Sequence, residues 1–237
     1  MSSKHKTLGI IGGLGPMATA YFMEMLTNFT DAQKDQDHIK MLVYSNPKTP
    51  DRTAFVLNKS SEDPMPFIHE AAVALEDMGA EVLAIPCITA HCFHSRLIKD
   101  ISATVINAVE ETVLELKKDN ASKVGIMATD GTLTTGLFQS ALEKAGITPI
   151  EPDDATQRLI MSVIYDDIKT GRDPSQETCD KISGFFESRG ADAVILGCTE
   201  LSLLKRSGCT IKNSIDAMEV LAKRTVELCG YELRRDR

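Results

Sequence analysis

The chain comes close to repeating itself. LGIIGGLGPMAT, from Leu8, aligns without gaps on VGIMATDGTLTT, from Val124, at an offset of 116 residues. Gly9 then coincides with Gly125, Gly15 with Gly131 and Thr19 with Thr135. GAEVLAIPC, ending at Cys87, aligns on GADAVILGC, ending at Cys198, at an offset of 111. Buried strands draw on few residue types, so one such match is weak. Two matches in the same order imply two similar lobes.

The segments between the matches fit that division. Apolar runs TLGIIGG, IKMLVYS, EVLAIP and SATVIN read as strands in the first half, and KVGIMAT, ITPIEP, AVILG and CTIKNSI in the second. Helical spacing predicts helices over 16–29, 66–78 and the VEETVLELKKDN run. It predicts more over 133–144, 156–170, 179–189 and 217–228. Pro16 suits a first helical turn, where its missing N–H is not needed. SNPKTPDRT is rich in Pro, Asn and Asp and reads as irregular. Nearly all-apolar strands alternating with helices imply an α/β fold of mainly parallel sheets flanked by helices. The first lobe is expected over 1–106, completed by 214–237, and the second over 107–213. The active site is expected in the cleft between them.

With 237 residues, the chain can hold one large or two compact units. Its net charge of -8 argues against non-specific nucleic-acid binding but leaves room for a locally basic pocket. No apolar run is long enough to span a bilayer. MSSKHKTLGIIGG reads as a first strand rather than a signal peptide. A cytoplasmic protein is the simplest account, with its six cysteines as free thiols. None of them forms a CxxC pair, so a structural zinc site has little support.

In open parallel sheets, ligands bind at the carboxyl ends of the strands. Cys87 and Cys198 both fall there. Facing lobes would set one thiol on each side of a small molecule. That geometry suits taking a proton from one face of a carbon and returning one to the other. A thiol with an ordinary pKa near 8.5 can act as a base when neighbours favour the thiolate. Cysteine also fills cores well, and Cys179 and Cys229, on predicted helices, fit that reading. Cys92 would sit beside the site or pack under it. Cys209 has no assigned role.

At this point the chain resembles the aspartate/glutamate racemase superfamily, and the aspartate racemases most. The resemblance rests on GGLGPMAT at 12–19, PDRT at 50–53, PCITAH at 86–91, GTLTT at 131–135, IKTG at 168–171, GCTE at 197–200 and IDAM at 215–218. It implies Cys87 and Cys198 as paired catalytic bases, no cofactor and a homodimer. It also implies a small dicarboxylic amino acid as substrate, with Arg52 holding the distal carboxylate bidentately and Lys169 assisting. Thr89 and Thr199 would bind the α-carboxylate or hold the thiols. Gly12 permits a close turn, and Thr132 and Thr135 occupy the matching place in the second lobe. Glu200 fits two readings: a partner of the substrate ammonium or of Cys198, or an acid in a first helical turn. His91 caps or packs against the third strand's exit.

One position departs from the family pattern. The first cysteine motif usually reads CNT, and here it is Cys87-Ile88-Thr89. Isoleucine lacks the amide's donor and acceptor. Alternatives to an aspartate racemase are a glutamate or broad-specificity racemase, another enzyme of the superfamily, and a non-catalytic amino-acid sensor. A NAD enzyme is a distant choice, because the glycine spacing is not GxGxxG.

Overall fold

A computed structural model describes residues 5–235. The first four and last two residues, which belong to the segments assigned to the first lobe, lie outside the described residues.

Two four-stranded parallel sheets carry the fold. The first contains β1 (Leu8–Gly12), β2 (Met41–Ser45), β3 (Val82–Ala84) and β4 (Thr104–Val105), in the order β2-β1-β3-β4. The second contains β5 (Lys123–Met127), β6 (Thr148–Ile150), β7 (Ala193–Leu196) and β8 (Ser214–Asp216), in the order β6-β5-β7-β8. The order is the same in both. The sequence repeat survives in the register: Leu8 pairs with Val82, and its counterpart Val124 pairs with Ala193.

The helices are α1 (Pro16–Phe29), α2 (Arg52–Val56), α3 (Met65–Asp77), α4 (His94–Leu97), α5 (Ala108–Lys118), α6 (Asp130–Thr134), α7 (Leu137–Lys144), α8 (Asp154–Ser162), α9 (Gln176–Ser188), α10 (Leu204–Ser207) and α11 (Ala217–Leu228). The 13-residue helices α3 and α9 lie at the same offset of 111 as the two cysteines. The matched glycines explain how each packs. A Cβ on Gly9 would lie 2.5 Å from Leu83 and crowd Leu75 of α3. A Cβ on Gly125 would lie 2.5 Å from Phe186 of α9. Each glycine lets an outer helix settle onto its sheet.

The core has three parts. One lies under α3 on the first sheet and another under α9 on the second. The third joins the halves, with Phe22, Ile10, Val124, Phe138 and Leu221 buried together. Each such side chain contributes about 1.5–3 kcal/mol on burial. The C-terminal segment divides its contacts: β8 extends the second sheet, whereas α11 packs against α1 and α5.

Some local expectations change. The run read as one helix over 133–144 is two, α6 and α7, separated at Gly136, whose φ of 65° is left-handed. The run over 156–170 leaves α-geometry after Ser162. It continues as a π-helical turn (Val163–Asp167) and a 3₁₀ turn (Ile168–Thr170). Arg52, expected in irregular chain, opens α2, because the Asp51 carboxylate caps that helix through the Ala54 N–H at 2.6 Å. No helix among the described residues is long and apolar enough to cross a membrane.

Candidate active site

The strand ends of the two sheets close on one small cavity. Cys87 lies just beyond β3 and Cys198 just beyond β7, and both line it. Arg52, Ile88, Thr89, Lys169, Thr199 and Glu200 complete most of its wall. The enclosed volume is about 20 Å³, room for about one water molecule. A larger ligand must part the walls.

Three hydroxyls hold the lobes together at the cavity. Thr89 Oγ1 lies 2.9 Å from Thr132 Oγ1 and 3.2 Å from Thr129 Oγ1, and the latter two are 3.1 Å apart. All three residues are buried. Thr129 also caps α6 by accepting from the Thr132 N–H. The Thr135 hydroxyl donates to the Thr132 carbonyl at 2.7 Å. Thr132 and Thr135 thus stand behind the wall instead of lining it. Gly131 brings α6 against α2, since a Cβ there would lie 2.9 Å from the Thr53 backbone. Gly12 also stands behind the wall. It makes room for Thr19, whose hydroxyl accepts from the Gly13 N–H at 2.9 Å.

Two cations reach the cavity by different routes. Arg52 donates to the carbonyls of Thr49, Pro50 and Leu14 at 2.8–3.2 Å, which fixes its guanidinium. Its Nε is buried and has no partner among the described residues. Burial works against the charge. The facing Cys87 sulfur, with Asp51 and Glu200, outweighs that and moves the group above its ordinary pKa. Lys169 sits in the 3₁₀ turn and contacts Glu200 Oε1 at 3.0 Å. There too burial opposes the charge, and Glu200 reverses the balance, so Lys169 moves up.

Glu200 joins these groups. Its other carboxylate oxygen, Oε2, accepts from the Cys198 thiol at 2.9 Å. Burial first, and then the Glu200 charge, push the Cys198 thiol well above its ordinary value. Cys198 therefore holds its proton at neutral pH. Cys92 lies outside the lining, and burial pushes its thiol up to about 12. His91 also lies outside it. Its ring Nδ1 is 3.0 Å from the Cys87 carbonyl, and burial pulls its pKa down to about 4. A neutral ring whose Nδ1–H donates to that carbonyl braces the turn that carries Cys87.

Seven of the ten expected site residues line the cavity: Arg52, Cys87, Thr89, Lys169, Cys198, Thr199 and Glu200. Leu14, Asp51, Thr53, Thr129 and Tyr165 line it as well and were not singled out. Asp51 was within reach, as part of the PDRT motif. Tyr165 gave no signal, since it sat in a stretch read as ordinary helix.

Two matching lobes, each carrying a cysteine just beyond a strand end that lines a shared cavity, define a two-lobed α/β fold with a candidate active site between its sheets. The Asp/Glu/hydantoin racemase family matches residues 11–225, and the chain belongs to that family. An aspartate racemase from Picrophilus torridus is 30% identical, with a TM-score of 0.85 over 97% of this chain and 96% of its own. An aspartate racemase homologue from Pyrococcus horikoshii is 25% identical, with a TM-score of 0.78 over 94% and 99% of the two chains. A broad-specificity amino-acid racemase from Bacillus subtilis is 28% identical over 92% of this chain and 96% of its own.

Proposed function

We infer that the chain is an amino-acid racemase that interconverts L- and D-aspartate, with Cys87 and Cys198 as its two acid/base groups and no cofactor. The observation that carries this reading is the single cavity lined by both cysteines and by two cations, Arg52 and Lys169. Two cations suit a dicarboxylic substrate better than an apolar one. Arg52 keeps a buried Nε free to donate to a carboxylate. Its carbonyl contacts hold it in place before the substrate arrives.

The proton moves in opposite senses on the two faces of the substrate. In one direction the Cys87 thiolate takes the α-hydrogen as a proton, and the electron pair is left on the α-carbon and its carboxylate. The Cys198 thiol then delivers its proton to the opposite face, leaving Cys198 as the thiolate. In the reverse direction the two exchange roles. Lys169 offsets part of the charge beside Cys198. The buried threonines Thr89 and Thr199 offer hydroxyl and backbone donors to the α-carboxylate, where negative charge accumulates.

A homodimer in the cytoplasm completes this reading. The broad-specificity relative favours a second reading, in which the same two thiols act on several amino acids. Proton NMR of L-aspartate and L-glutamate in deuterated water, with chiral analysis, tests both. Loss of the α-proton signal with D-isomer formed, abolished in Cys87→Ala and in Cys198→Ala, is the expected result. Ligand binding with no exchange on any amino acid would replace the racemase with an amino-acid sensor.

A further inference from the structure

A hollow of about 270 Å³ lies beside the catalytic cavity, lined by Asp130, Gln157, Arg158, Met161, Ser162, Tyr165 and Asp166. Tyr165 is the residue common to both linings, and Thr129 of the cavity precedes Asp130 of the hollow. Tyr165 therefore borders both spaces. We propose that the hollow is a side-chain subsite, opened when Tyr165 moves, for amino acids longer than aspartate whose side chain ends in a hydrogen-bond donor. The proposal rests on the racemase reading and extends its substrate class.

Three observations carry it. The cavity between the cysteines holds about 20 Å³, so even aspartate must part the lobes that bound it, and a longer side chain needs a further wall to give way. Tyr165 is suited to yield. It is half-buried and stands in the π-helical turn Val163–Asp167, a geometry frequent at functional sites. Its ring already carries the Lys169 ammonium 5.0 Å from its centroid. Moving the ring toward the hollow would join the two spaces beside a group expected to bind substrate.

The chemistry of the hollow names the ligand's end. Gln157 donates its amide N–H groups to the Ala128 carbonyl at 3.1 Å and to Asp130 Oδ1 at 2.7 Å. Its Oε1 is buried and accepts nothing among the described residues. Asp130 and Asp166 add two carboxylates, against one exposed guanidinium from Arg158. A side chain arriving there meets acceptors and net negative charge. An ammonium satisfies both, and a methyl satisfies neither.

The test compares α-proton exchange on L-aspartate, L-lysine and L-norleucine in deuterated water. Two variants fill the hollow at residues that do not themselves line the cavity: Ser162→Phe, and Arg158→Trp at an exposed position that tolerates change. Wild-type protein is expected to exchange lysine at least about tenfold faster than norleucine. Each filled variant is expected to lower lysine exchange at least about tenfold and to keep aspartate exchange within about twofold. Exchange on aspartate with none on lysine would overturn the subsite alone, as would lysine exchange that neither folded variant affects. Exchange on no amino acid would overturn the racemase reading, and the subsite with it.

Discussion

Removing the charge from Glu200 should tighten dicarboxylate binding while weakening the fold. Glu200 holds Lys169 at 3.0 Å, the cation expected to help bind the substrate's distal carboxylate. At that distance, with an effective dielectric constant of about 20, the gross attraction is about 5.5 kcal/mol. Desolvation takes back much of it. The Lys169 side chain is 29% exposed and that of Glu200 10%. The net coupling then falls between that of exposed pairs, about 0–1 kcal/mol, and the cost of breaking a buried pair, about 3–5 kcal/mol. A value of about 2 kcal/mol is reasonable. Urea denaturation of Glu200→Gln, Lys169→Met and the double variant measures it as a coupling energy. A dicarboxylate that takes Lys169 must first break this pair. Glu200→Gln removes that competition, and about 2 kcal/mol corresponds to an affinity gain of up to about 30-fold. Succinate, which has no stereocentre to invert, can be titrated calorimetrically. The gain should vanish in the Lys169→Met background. Unchanged succinate affinity in Glu200→Gln, beside a measured coupling near 2 kcal/mol, would refute competition for Lys169.

Two further outcomes are expected. His91 is held neutral, with its pKa near 4 against an ordinary 6.5. The unfolded chain then takes up a proton that the folded one refuses, so stability is lost as pH falls from about 6.5 to about 4. The difference amounts to about 3 kcal/mol. Denaturation at pH 7 and pH 4 should show that loss in wild-type protein and a smaller one in His91→Phe; equal losses would remove His91 from the account. Ile88 is 2% exposed and belongs to the core that joins the lobes while also lining the cavity. Ile88→Asn should raise aspartate turnover by restoring an amide beside Cys87, and should cost at least about 2 kcal/mol of stability through lost apolar burial. A folded Ile88→Asn protein with no gain in turnover would show that the amide has no part in turnover.

Much of the fold was legible in the chain because strand patterning is local. Buried parallel strands need continuous apolar runs, and their restart at Val124 revealed the second sheet. The offset of 111 placed both cysteines at strand ends, and the register of the two sheets agrees with it. Arg52, Lys169 and Glu200 were found because they sit in short motifs. Their partners were not legible. That Glu200 bridges Lys169 and Cys198, instead of serving only a first helical turn, depends on how two separate segments meet. Thr132 and Thr135 show the same limit. Sequence placed them at the site, and packing set them one layer behind it, with Thr132 bonded to Thr89 from the other lobe. Tyr165 was hidden altogether, because a π-helical turn keeps the composition of an α-helix and changes only where its side chains point. Sequence by itself determined two lobes and a thiol on each, since periodicity and strand ends are properties of neighbouring residues. Tertiary structure alone decided which charges pair, which hydroxyls join the lobes and which ring borders both the cavity and the hollow. Those are contacts between residues far apart in the chain, selected by close packing and by the need of buried polar groups for partners.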